Sequence, residues 1–310
     1  MLRRLHIGLL MTTLALLSAC YTATESTPRI KVDDEVINRP TTEQLVIDNN
    51  FTARGCDTWI AGKAFTSIDD KLSPMLRPEA NRPLIEQGFM GKIFTYKGYR
   101  QENIYGNKEV VYLLYECDSI LYSYYTGKSM QEIVELQYQP LIPTLVDMDE
   151  IAMARSLFVG KHLYILTNQW YDAGGQLIDG RQFIEVEVTA VKPGNSALPL
   201  ALCFADNTGK EACVFITTRS SARTQMLSFD RLFSYDNPRL KYPDITDENW
   251  KAITEGRLIK GMTKIECRLA IGLPAEVKKV PTYSGLKEQW MYNNGSYLFF
   301  SDGLLEEFRQ

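Results

Sequence analysis

Histidine is nearly missing from this chain, which has two among 310 residues. His6 lies in the N-terminal segment, so a histidine-activated nucleophile would depend on His162 alone. His162 begins an apolar, strand-like run, where a structural role is the simpler interpretation. Because the cysteines also lack C-x-x-C spacing, the sequence predicts no metal centre and no cofactor.

Excess positive charge is missing as well. The chain has 34 basic and 38 acidic residues, and removing residues 1–19 takes away two arginines and no acid. This acidic balance argues against a nucleic-acid partner. Segment 175–182 has Arg181 and Gln182 where a phosphate-binding loop needs Lys and Ser or Thr. The sequence therefore also excludes a nucleotide-binding P-loop.

No catalytic motif emerges, and the sequence gives no positive indication of an enzyme. Acidic groups such as Asp147, Asp149 and Glu150 are expected to be solvated surface side chains. The sequence leaves open a glycosidase-type pair of carboxylates contributed by distant segments.

The N-terminus has the parts of an export signal. Arg3 and Arg4 precede a short apolar run that ends near Leu17, too short for a bilayer, which needs about 20 residues. The next residues, Leu17, Ser18, Ala19 and Cys20, resemble the lipobox of bacterial lipoproteins.

This resemblance implies that Cys20 is acylated and becomes the new N-terminus, with several acyl chains holding the protein on a membrane. Tyr21 rather than Asp follows the cysteine, which is typical of outer-membrane sorting. We therefore expect a lipid-anchored protein on the periplasmic face of the outer membrane. An ordinary secretory signal with a coincidental cysteine is the alternative.

Beyond the signal, the pattern predicts an α+β protein made mostly of small antiparallel β domains. Residues 20–50 are polar and predict a lipidated tether. Residues 51–150 predict an N-terminal α+β domain. Residues 151–243 predict a small β barrel or sandwich, because short β-rich runs alternate with turn residues.

Two cysteines flank a turn in the second domain. In a hairpin centred on Thr208, Cys203 and Cys213 would lie directly opposite each other. An exported compartment permits disulfides, so a cross-strand disulfide is one interpretation. A pair of reduced core thiols is the other.

Residues 244–310 predict two helices followed by a β meander of three short strands and a final extended segment, Leu304–Phe308. Thr263 and Glu266 have capping-box spacing, Gly272 suits the end of the helix, and Pro274 stops it. Asn-Gly and Asp-Gly pairs then supply tight turns between short strands.

The same segment resembles the BamE (SmpA/OmlA) lipoprotein domain. The resemblance rests on GMTKIECRLAIGLP at 261–274, EQWMY at 288–292, YLFF at 297–300 and DGL at 302–304. It implies a helix-helix-meander fold and an envelope protein partner, because the family consists of small outer-membrane lipoproteins, one an accessory subunit of the β-barrel assembly machinery. It covers about the last 65 residues, behind roughly 200 residues that do not match.

Both faces of this meander carry large apolar groups. Trp290 and Tyr292 point to one face and Met291 to the other. Two short helices can cover one face only, so the second packs on the preceding domain or meets a partner, with Trp290 and Tyr292 as candidate anchors.

Two functions follow from these patterns. The first is a protein-interaction or scaffold component at the outer membrane, in outer-membrane protein assembly. The alternative is a periplasmic glycan-binding or hydrolytic lipoprotein with its site in residues 51–243. The alternative predicts a deep cleft there, lined by convergent acids or aromatic groups.

Overall fold

The computed structural model describes residues 40–52, 54–79, 87–104, 108–195, 198–218, 227–282 and 285–309. The predicted signal, the lipobox Leu17–Ser18–Ala19 and Cys20 lie outside the described residues. Within the described ranges, no helix combines the length and apolar character needed to cross a membrane.

Runs of consecutive strands separated by short helices make up the described chain. The helices are α1 (Thr42–Asn50), α2 (Met130–Glu135), α3 (Met148–Phe158), α4 (Phe229–Leu232), α5 (Asp247–Thr254) and α6 (Lys264–Ile271), with 3₁₀ turns at Cys56–Thr58 and Pro238–Lys241. The strands are β1 (Ala64–Ser67), β2 (Leu76–Pro78), β3 (Ile93–Ile104), β4 (Lys108–Cys117), β5 (Ile120–Tyr125), β6 (Leu145–Asp147), β7 (His162–Ile165), β8 (Gln169–Tyr171), β9 (Leu177–Asp179), β10 (Ile184–Pro193), β11 (Leu200–Asp206), β12 (Glu211–Ile216), β13 (Phe233–Ser234), β14 (Glu276–Thr282), β15 (Gly285–Met291), β16 (Tyr297–Ser301) and β17 (Leu304–Arg309).

The fold is α+β, as expected, with antiparallel pairing between neighbouring strands of three sheets. The first sheet has the order β2-β5-β4-β3-β1-β6, the second β13-β7-β10-β11-β12-β8-β9 and the third β14-β15-β16-β17. Each sheet packs against its own cluster of buried side chains.

A tight hairpin and an aromatic core shape the first sheet. Asp118 and Ser119 connect β4 to β5 with φ values of 49° and 62°, the left-handed pair that a two-residue hairpin turn needs. On its buried face, Phe65 and Tyr96 each contact Tyr115 edge-on, with ring centroids 5.7 and 5.9 Å away. Two of these rings, Phe65 and Tyr115, also line the cleft described below.

The second sheet contains the cross-strand cysteine pair. In the β11–β12 hairpin Cys203 lies directly opposite Cys213, and a disulfide joins them. The turn is closed by Asp206, whose Oδ1 accepts from the backbone amides of Thr208 at 2.8 Å and Lys210 at 3.0 Å. The disulfide and the turn therefore brace the same hairpin.

The structure differs from the expected tether at its C-terminal end. Residues Thr42–Asn50 form α1, which starts with a capping box between Thr41 and Gln44. Ile47 joins the core of the second sheet, and Glu43 accepts a hydrogen bond of 2.9 Å from the backbone amide of Tyr235. Residues 42–50 of the expected tether are therefore helical, and residues 20–39 lie outside the described part.

Helix α3 connects the first two sheets. It follows directly on β6 of the first sheet, and buries Ile151, Ala154 and Phe158 in the core of the second. The expected boundary between residues 150 and 151 therefore falls inside a helix that both sheets share.

The C-terminal part consists of α5, α6 and a four-stranded meander. Thr263 and Glu266 form the expected capping box, and Gly272 ends α6 with φ 84°, a left-handed conformation that favours glycine. The last extended segment pairs with β16 as a fourth strand, one more than the three strands expected.

Candidate ligand-binding cleft

A cleft of about 490 Å³ opens where the first sheet meets the end of α1 and the start of α3. Its floor is apolar and aromatic, whereas its rim is polar. The floor residues are Phe65, Tyr115, Ile142 and Leu145, and the rim includes Asn50, Thr52, Arg54, Thr58 and Gln139. Its size and its mixture of apolar walls with a few polar groups are typical of small-molecule sites.

A three-residue ion cluster lies in this cleft. Lys63 Nζ contacts Asp147 Oδ2 at 2.7 Å and Asp149 Oδ2 at 2.6 Å. The three side chains differ sharply in exposure, which is 15% for Lys63, 26% for Asp147 and 76% for Asp149. The lysine and one aspartate are thus largely buried, and the second aspartate stands in solvent.

Aromatic rings enclose the same ammonium from the other side. Lys63 Nζ lies 5.9 Å from the ring centroid of Trp59 and 5.5 Å from that of Phe65, within the range of a cation–π contact. The ring of Trp59 packs against the rings of Phe65 and Tyr96, with ring centroids 5.2 and 5.5 Å away. Since Trp59 is only half-buried, this fixed ring keeps surface for a ligand.

The two aspartates keep Lys63 protonated. Burial lowers the pKa of Lys63, but hydrogen bonds to Asp147 and Asp149 outweigh burial, so the pKa is raised above its usual value. The cleft therefore presents an ammonium group at neutral pH.

Strand pairing explains why these residues meet. Phe65 of β1 lies opposite Asp147 of β6, and Lys63 directly precedes β1. Asp147 is also the N-cap of α3, and its Oδ1 accepts from the backbone amide of Asp149 at 2.9 Å. The helix start thereby fixes Asp147, and the sheet brings Lys63 to it.

Helix α3 contributes a third acid to the cleft, Glu150, which accepts a hydrogen bond from another lining residue. The Thr218 hydroxyl donates a hydrogen bond to Glu150 Oε1. The lining thus has two cationic side chains, Arg54 and Lys63, and three acidic ones, with the amides of the rim beside them. Such a wall can donate and accept hydrogen bonds, while Trp59 offers a flat apolar surface.

The predicted anchors Trp290 and Tyr292 lie elsewhere, in the core of the C-terminal part. Trp290 is 1% exposed and packs on Phe300, with ring centroids 4.6 Å apart. Tyr292 is half-buried, and its hydroxyl donates to the carbonyl of Gly272 at 3.2 Å. Their face of the meander is the one that the helices cover, so the expectation of exposed anchors is corrected.

The opposite face of the meander stays partly open. Met291, Tyr297 and Phe299 are half-buried there, and the rings of Tyr297 and Phe299 contact each other edge-on at 5.5 Å. The second apolar face predicted from the alternation is therefore present, and Met291, Tyr297 and Phe299 form it rather than Trp290 and Tyr292.

The sequence predicted that the acids of the cleft are solvated surface side chains. It gave no indication that Trp59 or Lys63 belongs to a site. Their positions, 59–63 and 147–150, meet only through the pairing of β1 with β6, which no short motif signals. Among the described residues, no cluster of three His, Cys, Asp or Glu side chains is arranged to hold a metal ion.

Comparisons with protein-family models, with curated proteins and with solved structures found no match for this chain. The family resemblance of segment 261–304 accordingly rests on its residues alone. Function is inferred from the cleft and from the N-terminal and C-terminal motifs.

Proposed function

We propose that this protein is an envelope lipoprotein that binds a glycan in the cleft formed by Trp59, Lys63 and Asp149. The cleft itself carries the proposal, because it joins a fixed, half-buried tryptophan to a rim of hydrogen-bonding side chains. A sugar has the matching chemistry, with apolar C–H faces and a periphery of hydroxyl groups. The position of the cleft within residues 51–243 also agrees with the glycan-binding alternative stated above.

The arrangement of the acids favours binding over hydrolysis. A glycosidase uses one protonated carboxylic acid and one carboxylate that face each other across the bond to be cut. Here Lys63 lies between Asp147 and Asp149 and forms an ion pair with each. The two acids are therefore engaged with a cation rather than free to act as an acid and a nucleophile.

Attachment to a membrane completes the proposal. Cys20, within its lipobox, would carry the lipid, and the polar residues before Pro40 would tether the folded part. The outer membrane is the expected location, where the cleft would meet periplasmic glycans.

Calorimetry tests the proposal. The full mature protein, purified in detergent, is titrated with N-acetylglucosamine oligomers. We expect saturable binding that Trp59→Ala weakens at least about tenfold, because the stacking surface is removed. The control is Tyr99→Ala, which removes an exposed aromatic side chain from the same sheet outside the cleft. An absence of binding, or equal weakening by both variants, contradicts the proposal.

A second candidate function, favoured by the open face of the third sheet, is a scaffold role in outer-membrane protein assembly. The half-buried Met291, Tyr297 and Phe299 would contact an envelope protein, in line with the BamE-like motifs of segment 261–304. In-cell crosslinking followed by purification tests this role. Barrel-assembly components should co-purify with the wild type and be lost from Cys20→Ala and from Phe299→Ser. Their absence from the wild type contradicts the scaffold role.

A further inference from the structure

We infer that the cleft selects an acidic sugar, whose carboxylate binds Lys63 in the place that Asp149 now occupies. This inference rests on the proposed glycan binding and specifies the ligand of the same site. The juxtaposition that carries it is a largely buried ammonium held by one partly buried and one exposed carboxylate inside a cavity.

Asp149 is the displaceable partner of Lys63. Its side chain is 76% exposed. When Asp149 moves away from Lys63, water can therefore hydrate its carboxylate. Exposed ion pairs contribute little to stability, because solvent screens them and the side chains lose freedom in forming them. A ligand carboxylate that takes this place restores the same pairing to Lys63.

Asp147 is the partner that stays. Its side chain is 26% exposed, it caps α3, and its backbone pairs with Phe65 in the sheet. With Asp147 in place, Lys63 keeps one carboxylate throughout and is never left as an unpaired buried charge. The ammonium that Asp149 would release lies 5.9 Å from the ring centroid of Trp59, on which the ring of a bound sugar would stack.

A cationic ligand fits the same cluster less well. To reach the buried part of the cleft it would have to draw Asp147 away from Lys63, which would leave the ammonium unpaired. Contact with Asp149 alone would be in solvent and strongly screened. The lining also holds three acids, but Asp147 stays paired with Lys63 and Glu150 accepts from Thr218, so Lys63 and Arg54 are the groups that would bind an anionic ligand.

Two matched disaccharides test the inference. Diacetylchitobiose is neutral, and N-acetylglucosaminyl-N-acetylmuramic acid adds one lactyl carboxylate to the same skeleton. We expect the wild type to bind the acidic disaccharide at least about threefold more tightly. Asp149→Asn should raise the affinity of the protein for the acidic disaccharide about three- to fivefold relative to its affinity for the neutral disaccharide, because the internal competitor for Lys63 is gone.

A matched ion pair in the same sheet provides the control. Lys92 and Asp118 form a surface pair at 2.5 Å outside the cleft, so Asp118→Asn should change neither affinity. Lys63→Gln should abolish the preference for the acidic disaccharide. In case this variant does not fold, the wild-type preference should also decline between 50 and 500 mM NaCl.

The outcomes separate the two proposals. If Asp149→Asn weakens or does not change binding of the acidic disaccharide, while Trp59→Ala still weakens binding of both disaccharides, the inference is overturned and glycan binding stands. If neither disaccharide binds the wild type, glycan binding itself fails.

Discussion

The side-chain amide of Gln182 donates a hydrogen bond of 2.8 Å to the carbonyl oxygen of Leu269 in α6. The same nitrogen also lies 2.9 Å from the carbonyl of Ala270 and 3.1 Å from that of Ile253 in α5. The carbonyls of Leu269 and Ala270 belong to the last turn of α6, where carbonyls lack amide partners within the helix, whereas the carbonyl of Ile253 also accepts from the backbone amide of Gly256 at 3.0 Å. One buried amide from the segment before β10 thus joins the second sheet to the C-terminal part.

Replacing the amide of Gln182 should weaken the packing of the C-terminal part against the second sheet. We expect Gln182→Leu to lower the free energy of unfolding by about 1–3 kcal/mol, because buried carbonyls lose their donor. Urea denaturation measures the change, with Gln101→Leu on the exposed side of β3 as the control. Equal midpoints for the two variants would show that the amide contributes no stability.

Thiol counting should reveal the disulfide and the lipid together. Cys203 and Cys213 are paired, whereas Cys56, Cys117 and Cys267 are buried free thiols. We expect no reactive thiol in the folded mature lipoprotein, three after unfolding without reductant and five after reduction. A fourth thiol before reduction would mean that Cys20 carries no lipid.

Removing the disulfide should lower stability. The two cysteines are 10 residues apart, and closing a loop of this length restricts the unfolded chain by about 2–3 kcal/mol. Thermal unfolding of a Cys203→Ser, Cys213→Ser double variant should show a lower midpoint than the wild type. An unchanged midpoint would mean that the hairpin is held by its turn and core alone.

Acid should weaken the same hairpin through Asp206. Burial would raise the pKa of Asp206, but hydrogen bonds from Thr208 and Arg181 outweigh burial and hold the pKa at about 2. Because this pKa is below the unfolded value of about 3.8, the stabilisation is present above pH 4 and is lost as the pH falls through 2. Unfolding of Asp206→Asn should therefore depend less on pH in this window, and an identical slope would contradict the assignment.

The lipid anchor has a direct partition test. On phase separation in Triton X-114, the wild type should enter the detergent phase, because acyl chains bury many methylene groups there. Cys20→Ser should stay in the aqueous phase, and Cys117→Ser should behave as the wild type. Detergent partition of Cys20→Ser would point to an anchor elsewhere in the chain.

Local chemistry made parts of the fold predictable. The capping box of Thr263 and Glu266 is present, and Cys203 lies opposite Cys213, because spacing over a few residues determines both. Helix α1 escaped prediction although Thr41 and Gln44 have capping-box spacing, because its buried positions, Glu43 and Ile47, show no apolar stripe.

The cleft could not be predicted for a different physical reason. Lys63 and Asp147 are 84 positions apart in the sequence, and only the pairing of β1 with β6 unites them. Nor does alternation in the meander tell which face the helices cover, so Trp290 was taken for an anchor although it is a core residue.

Indole NMR of the labelled protein tests glycan binding in the cleft most directly. Of the four tryptophans, only Trp59 lines the cleft, whereas Trp170 and Trp290 are fully buried and Trp250 packs on Phe183 and Tyr242 in the C-terminal part. On titration with diacetylchitobiose, the Trp59 indole signal should shift in a saturable way and the other three should remain in place. A stationary Trp59 signal at saturating sugar would contradict glycan binding in this cleft.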